Sequence, residues 1–449
     1  MISKRQSARG QERKQLGGDS GVIRYRSSLA NTCLDVMRAR GWREARDDGD
    51  WDIYWVDVSS LKDVFDRSHM SEFSKICHFR NHYELTRKNL MDKNLRRHRK
   101  QLEKEGGREA GLVCDFTPCS FELPSEYQLF VEEYKRCPGQ IWIMKPAGSA
   151  QGKGIFLFQK LKDVAEWKKP APGEAAKQAA APPQLDAAGN PKKGPDVYVV
   201  QKYLDSPYLV GGRKFDIRLY VLVTSYNPMK VWTFRDGFAR FSGARYSLDS
   251  IEDTYVHLTN VALQKTAKDF NPDKGCKWSM KQLRQFLCAK HGNAVVLEMM
   301  HAINDIFIVS LQAMQKVMIN DKHCFELYGY DILLDSVLKP WLIEVNASPS
   351  FTASSKEDYE LKYSLLYDCF SVIDLERRLT GNERRVGGFD LMWDNGPVYA
   401  NEGTSIECVA AKTSNKMLNC YLGCASARER NLRDVVRKAR LVRQNESLP

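Results

Sequence analysis

Asp331, Glu344 and Asn346 are of the residue types that hold a hard cation. Mg²⁺ takes oxygens from carboxylates and amides and completes its shell with phosphate and water. Glu344 and Asn346 lie two apart at the end of the apolar run Trp341-Leu342-Ile343-Glu344-Val345-Asn346. That run reads as a strand, and alternation then places both side chains on one face. Asp331, in Tyr330-Asp331-Ile332-Leu333-Leu334-Asp335, would join them from a neighbouring antiparallel strand. Three such donors make a seat for magnesium bridging the phosphates of ATP. The other reading is that Asp331 and Glu344 are ordinary strand-end acids.

Further upstream, Lys145 precedes the loop Gly148-Ser149-Ala150-Gln151-Gly152-Lys153-Gly154. A glycine loop exposes backbone N–H groups that cradle phosphate oxygens. Lys145 and Lys153 would add charge against a triphosphate. The loop is not a P-loop, since GxxxxGK[ST] does not occur. It is not a protein-kinase loop either, because HRD and DFG are missing. A plain hairpin turn explains the glycines equally well. Gln201-Lys202-Tyr203-Leu204 follows a strand pattern at Val197–Val200 and would present a backbone edge to adenine. In Lys214-Phe215-Asp216-Ile217-Arg218, alternation puts the three charged residues on one face. They form either a self-satisfied ion-pair ladder or the wall of a site. Arg240, framed by aromatics in Phe238-Ala239-Arg240-Phe241, is a candidate clamp for an amino-acid carboxylate or a stacked structural arginine.

The elements that must position these residues follow from periodicity. Helices are expected at Leu29–Met37, Thr86–Glu105 and Glu298–Met318, the last a core helix. Strands are expected at Ile53–Val56, Ile141–Met144, Gly154–Phe158, Val197–Val200, Phe215–Thr224, Val231–Phe234, Leu327–Leu334 and Trp341–Val345. Thr86–Glu105 carries a run of basic residues, read either as a solvated face or as a docking surface. Lys168–Asp196 is rich in Ala, Pro, Gly and Lys and reads as an unpacked insertion. Beyond Thr380 the chain looks less regular until a basic amphipathic helix ends it. The expected division is a basic arm over 1–21, an N-terminal α/β domain over 22–85, a central lobe over 86–200, a second lobe with the metal site over 201–380, and an extension over 381–449.

The whole chain has 449 residues, enough for two or three such units. Its 68 Lys and Arg against 56 Asp and Glu leave a net charge of +12, which asks for an acidic partner. No zinc spacing or aromatic-interleaved platform points to nucleic acid. No apolar run is expected to reach the ~20 residues that span a bilayer. The N-terminal residues show no secretory h-region. The 12 cysteines contain no CxxC pair and read as reduced thiols.

The order of these motifs, together with His257-Leu258-Thr259-Asn260, resembles the tubulin tyrosine ligase-like family over about residues 22 to 380. Within the family it is most similar to the polyglutamylase branch, whose basic segment is matched by Arg87-Lys88-Asn89-Leu90-Met91 and Asn94-Leu95. The resemblance implies an α/β (α+β) ATP-grasp-like fold with antiparallel sheets flanking the ATP site. It implies ATP and Mg²⁺ as cofactors, free L-glutamate as co-substrate, and tubulin or microtubules with acidic C-terminal tails as partner. Accessory subunits are compatible with it. It implies ATP contacts at Lys145, Gln151, Gly152, Lys153, Gln201, Lys202, Tyr203, Leu204, Lys214, Phe215, Asp216, Thr259 and Asn260. Glutamate or the tubulin tail would meet Gln151, Arg240 and Lys277. The metal would sit on Asp331, Glu344 and Asn346. Lys145, Arg218 and Glu344 would carry the chemistry. The implied location is the cytoplasm and cytoskeleton, with the ciliary or flagellar axoneme and basal body. A glycylase, another amino-acid ligase or a non-catalytic microtubule scaffold is the alternative.

Overall fold

The computed structural model describes residues 21–46, 50–68, 70–148, 154–167, 197–264, 266, 277–400 and 417–446. Gln151, Gly152, Lys153 and the 168–196 insertion lie outside these, as does nearly all of the N-terminal arm.

Three sheets build the molecule, and its class is mixed α/β. The first is parallel, in the order β2-β1-β3-β4, with β1 Arg24–Ser27, β2 Arg43–Glu44, β3 Ile53–Trp55 and β4 Lys75–Ile76. Helix α1, Thr32–Ala39, packs its Cys33, Val36 and Met37 into the core and is capped by Asn31, whose side chain accepts from Cys33 N–H. Helix α2, Lys88–Gly106, follows the first sheet.

The second sheet is antiparallel, in the order β5-β8-β6-β7, with β5 Ser120–Leu123, β6 Trp142–Pro146, β7 Phe156–Phe158 and β8 Tyr198–Lys202. Leu123, Phe130, Trp142, Met144, Phe158 and Val200 form its own small core.

The third sheet has nine antiparallel strands: β9 Leu209–Val210, β10 Arg213–Tyr226, β11 Met229–Phe234, β12 Phe238–Phe241, β13 Lys277–Ser279, β14 Glu326–Leu334, β15 Pro340–Asn346, β16 Arg385–Val386 and β17 Phe389–Asp394. Strand β10 is its axis. One edge carries β12 and then β11, and the other carries β14, which pairs onward with β15. Buried on both faces along most of its length, β10 reads as the near-continuous apolar run of a central strand. The expected irregularity beyond Thr380 is corrected here, because β16 and β17 complete this sheet through β11.

Helix α3, Met280–His291, opens with a capping box between Ser279 and Gln282. Helix α4, Asn293–Gln315, is long and apolar enough, by length and composition, to cross a membrane, so the expectation that no segment reaches that length does not hold. Its apolar face is buried in the main core, with Phe307 against the Tyr330 ring at 4.8 Å and the Ser310 hydroxyl 3.0 Å from the Tyr330 hydroxyl. Helices α5, Lys356–Ile373, and α6, Arg428–Glu446, close the chain. The described cysteines are all free thiols.

Candidate active site

A cleft between the second and third sheets collects residues from five strands and the loop before β13. It is lined by Lys145 of β6, Gln201 and Lys202 of β8, Tyr203 and Leu204 after it, Lys214 and Asp216 of β10, Thr259 and Asn260, Asp331 of β14 and Glu344 of β15. Gln201 and Lys202 lie inside β8, so the expected hinge begins only at Tyr203. Phe215 points to the other face of β10, where its ring lies 5.3 Å from that of Phe241 in the core.

The lysines are buried and tethered. Lys145 Nζ donates to Gln201 Oε1 at 2.8 Å, and Gln201 Nε2 donates to Ser120 Oγ at 2.9 Å. Lys214 Nζ donates to the Tyr203 hydroxyl at 2.9 Å and to the His257 carbonyl at 3.0 Å, and lies 4.5 Å from the centre of the Tyr203 ring. Burial disfavours both ammonium charges. It brings Lys145 down to about 8, with Lys88 adding repulsion and Glu344 opposing. It brings Lys214 down to about 7, with Lys145 adding repulsion and Asp216 opposing. A polyanion entering the cleft would restore both charges.

Opposite them lies an ion-pair network. Arg218 and Asp331 are cross-strand partners, joined by Nε–Oδ1 at 2.5 Å and NH2–Oδ2 at 3.0 Å. Asp216 and Arg240 are partners across β10 and β12, with Nε–Oδ1 at 2.8 Å and a second contact from NH2. Arg240 NH2 also reaches Asp331 Oδ2 at 2.9 Å. Burial pushes Asp331 upward, but Arg218 and Arg240 together hold it well below the usual carboxylate range. Burial raises Asp216, and Arg240 opposes that shift. The charged face of β10 is therefore both ladder and site wall.

The expected metal donors come together. Asp331 and Glu344 are register partners, and Asn346 Nδ2 lies 3.5 Å from Asp331 Oδ2. The register shifts between Asp331 and Ile332, leaving Ile343 as an extra residue on β15. This bulge lets Ile343 and Glu344 both line the cleft, which strict alternation forbids. Among the described residues no three His, Cys, Asp or Glu side chains gather into a metal cage. Two carboxylates and an amide fit a cation that draws its remaining ligands from phosphate and water. Glu344 meanwhile pairs with Lys88 Nζ at 2.9 Å.

Lys277 lies beside Arg240 in the β12–β13 register and faces a second groove that shares Thr259 with the cleft. Its Nζ meets Asp358 Oδ2 at 3.1 Å and Ser354 Oγ at 3.0 Å. Sequence reasoning passed over Lys88, His257, Leu333 and Ile343 as lining residues. His257 stood in the His-Leu-Thr-Asn motif and Lys88 in the basic segment. Alternation puts Leu333 on the face of Asp331, two residues away, whereas for Ile343 there was no signal beyond apolarity.

The family model for tubulin-tyrosine ligases matches residues 66–380. A protein named probable tubulin polyglutamylase TTLL9 from Rattus norvegicus is 52% identical over 457 residues, covering 98% of this chain and 97% of its own. Its counterpart from Bos taurus is 53% identical over 444 residues, covering 96% and 95%. Probable tubulin polyglutamylase ttll-9 from Caenorhabditis elegans is 49% identical over 377 residues, covering 83% and 85%.

Proposed function

The chain belongs to the tubulin-tyrosine ligase family, and from that premise we propose that it is a tubulin polyglutamylase with an ATP-grasp-like site. It joins free glutamate to the γ-carboxylate of glutamates in tubulin tails, using ATP. The observation that carries the reading is one cleft in which Lys145 and Lys214 face the carboxylates of Asp331 and Glu344, with the Asn346 amide beside Asp331.

A carboxylate is a poor electrophile and must be activated. The tail carboxylate oxygen attacks the γ-phosphorus of ATP, and ADP leaves. The amino nitrogen of glutamate then attacks the acyl carbon of the resulting acyl phosphate, losing a proton as phosphate departs. Lys145 and Lys214 hold the phosphates, with their charge aimed where negative charge builds. Tyr203 and Leu204 flank the base. Mg²⁺ on Asp331, Glu344 and Asn346 would neutralise the transferring phosphoryl group. Lys88 must release Glu344 for that, and the phosphates offer it a new partner. Arg240 receives the carboxylate of glutamate in exchange for part of its hold on Asp216, with Lys277 beside it. Such a substrate puts the enzyme on the cytoskeleton, in the axoneme and basal body of cilia or flagella.

The test is incorporation of labelled glutamate, glycine or tyrosine into microtubules with Mg-ATP, for wild type and Glu344→Gln. Glutamate incorporation that Glu344→Gln lowers by at least 100-fold is expected. Incorporation of glycine or tyrosine alone would overturn the substrate assignment. Wild type that binds ATP yet transfers nothing, even with accessory subunits, would leave the scaffold reading.

A further inference from the structure

We infer that the outer face of helix α2 is a docking rail for the acidic peptide that carries the acceptor glutamate. The identity of that peptide rests on the polyglutamylase reading. Lys93, Arg97, Lys100 and Lys104 are all exposed. Their spacing of i, i+4, i+7 and i+11 aligns them in one stripe. The other cations of α2 are matched by acids. Lys88 pairs with Glu344, Arg96 with Asp92 and Glu126, and Arg99 with Glu103. The acids of the helix are used too, since Glu105 accepts from Gln101. Among the described residues the four stripe cations form no ion pair.

Folding accounts for Lys104, which the helix dipole favours in the last turn, but not for the rest of the stripe. Like charges at i and i+4 repel and destabilise a helix. The first turn of α2 holds no acid, although the helix dipole favours one there. A solvated face would intersperse both signs. Exposed Lys316, the residue that ends α4, extends the positive field, its Nζ 3.0 Å from Gln101 Oε1. Leu112 and Val113, 54% and 51% exposed in the turn after α2, offer apolar contacts beside it. Lys88, the first residue of α2, reaches Glu344 from the opposite side of the helix, so α2 borders the site with its inner face and carries the stripe on its outer one. At ~1.5 Å per helical residue, Lys93 to Lys104 spans ~16 Å. An extended peptide covers that length with about five residues. The partner that suits it is a run of several carboxylates, not a single anion.

The test compares the full-length wild type with the fourfold variant K93A/R97A/K100A/K104A, none of whose positions lies in the cleft. The expected result is a microtubule KM raised about tenfold at low salt, with a shallower salt dependence. The KM for ATP and kcat at saturating microtubules stay unchanged, and K93R/K100R/K104R keeps the wild-type KM. An unchanged microtubule KM and salt slope, with glutamate transfer intact, overturns the rail while leaving the polyglutamylase reading standing. So does a variant that loses only its binding to phosphatidylserine vesicles. If wild type transfers no glutamate, that reading falls by itself, and co-sedimentation decides the rail. Wild type pelleting with intact but not with tail-cleaved microtubules, and the fourfold variant with neither, upholds it. Equal pelleting of wild type and variant overturns it.

Discussion

The cleft holds two lysines whose charge is conditional. Burial, which penalises the ammonium, brings Lys214 down to about 7 and Lys145 down to about 8, and Lys145 adds to the penalty on Lys214. Lys88 repels Lys145, while Glu344 and Asp216 pull the other way. The neutral Tyr203 hydroxyl and the His257 carbonyl accept from Lys214 without adding charge. Nucleotide phosphates need both lysines protonated, so binding takes up protons wherever the empty site has lost them. Affinity for a non-hydrolysable ATP analogue should therefore be near its best at pH 6.5 and fall as pH rises through 7 and 8. By pH 9 each lysine that must be recharged contributes up to about tenfold per pH unit above its own value. Titration calorimetry in two buffers of different ionisation heat would read the proton uptake directly. Lys145→Arg, which stays charged, should remove about one proton of it and flatten the profile. A profile that is flat from pH 6.5 to 9 in wild type would contradict this account.

At the scale of elements, β10, β12, β14 and β15 hold the site, and most of it was legible from residue types. The pairing of Arg218 with Asp331 and of Asp216 with Arg240 follows from a charged face on a long strand with charged neighbours. What alternation missed was Ile343. A β-bulge depends on which residues oppose each other across the pair, and one strand read alone holds no record of its partner's register. The same limit hid β16 and β17, short pieces that become strands only because β11 offers an open edge. Gly237, at the turn into β12, marks how closely these elements approach. A Cβ there would lie 2.3 Å from the Arg218 carbonyl oxygen, which is backbone and has little freedom to move. Gly237→Ala should cost about 1–3 kcal/mol in denaturant unfolding. It should also cut kcat more than it raises the KM for ATP, because the displaced group is Arg218 and not the lysines. An alanine variant with wild-type stability and turnover would show that the close approach is immaterial.

Across the whole molecule, the parallel N-terminal sheet must be fixed to the nine-stranded sheet for the cleft to keep its shape. Two joints do this. Strand β4 continues into the chain before β14, with Ile76 N–H donating to the His323 carbonyl at 2.8 Å and Phe325 N–H donating to the Ile76 carbonyl at 3.1 Å. Beside it, buried His78 places Nδ1 2.7 Å from Glu326 Oε1 and Nε2 3.0 Å from the Val56 carbonyl. Both ring nitrogens face acceptors, so the imidazolium suits the site. Burial alone would lower its pKa, but Cys77 and the Glu326 carboxylate raise it well above the ordinary histidine value. Because the folded value is raised, the contribution to stability is complete below about pH 6.5 and is lost as pH climbs through the folded value. The denaturant midpoint of wild type should fall between pH 6 and 9, and that of His78→Gln should fall less. Removing one partner strands the other, so His78→Ala at pH 6.5 should cost about 3–5 kcal/mol, measured by urea unfolding. The loss should reach the cleft, since the Ser348 hydroxyl lies 3.3 Å from His78 Nε2 and two residues beyond Asn346, and Thr32 of α1 holds the Phe351 carbonyl at 2.7 Å. Weakened nucleotide-dependent glutamate transfer at temperatures where His78→Ala is still folded would show that this joint positions the metal-binding strand end as well as stabilising the chain. Unaltered transfer there would confine the joint to stability.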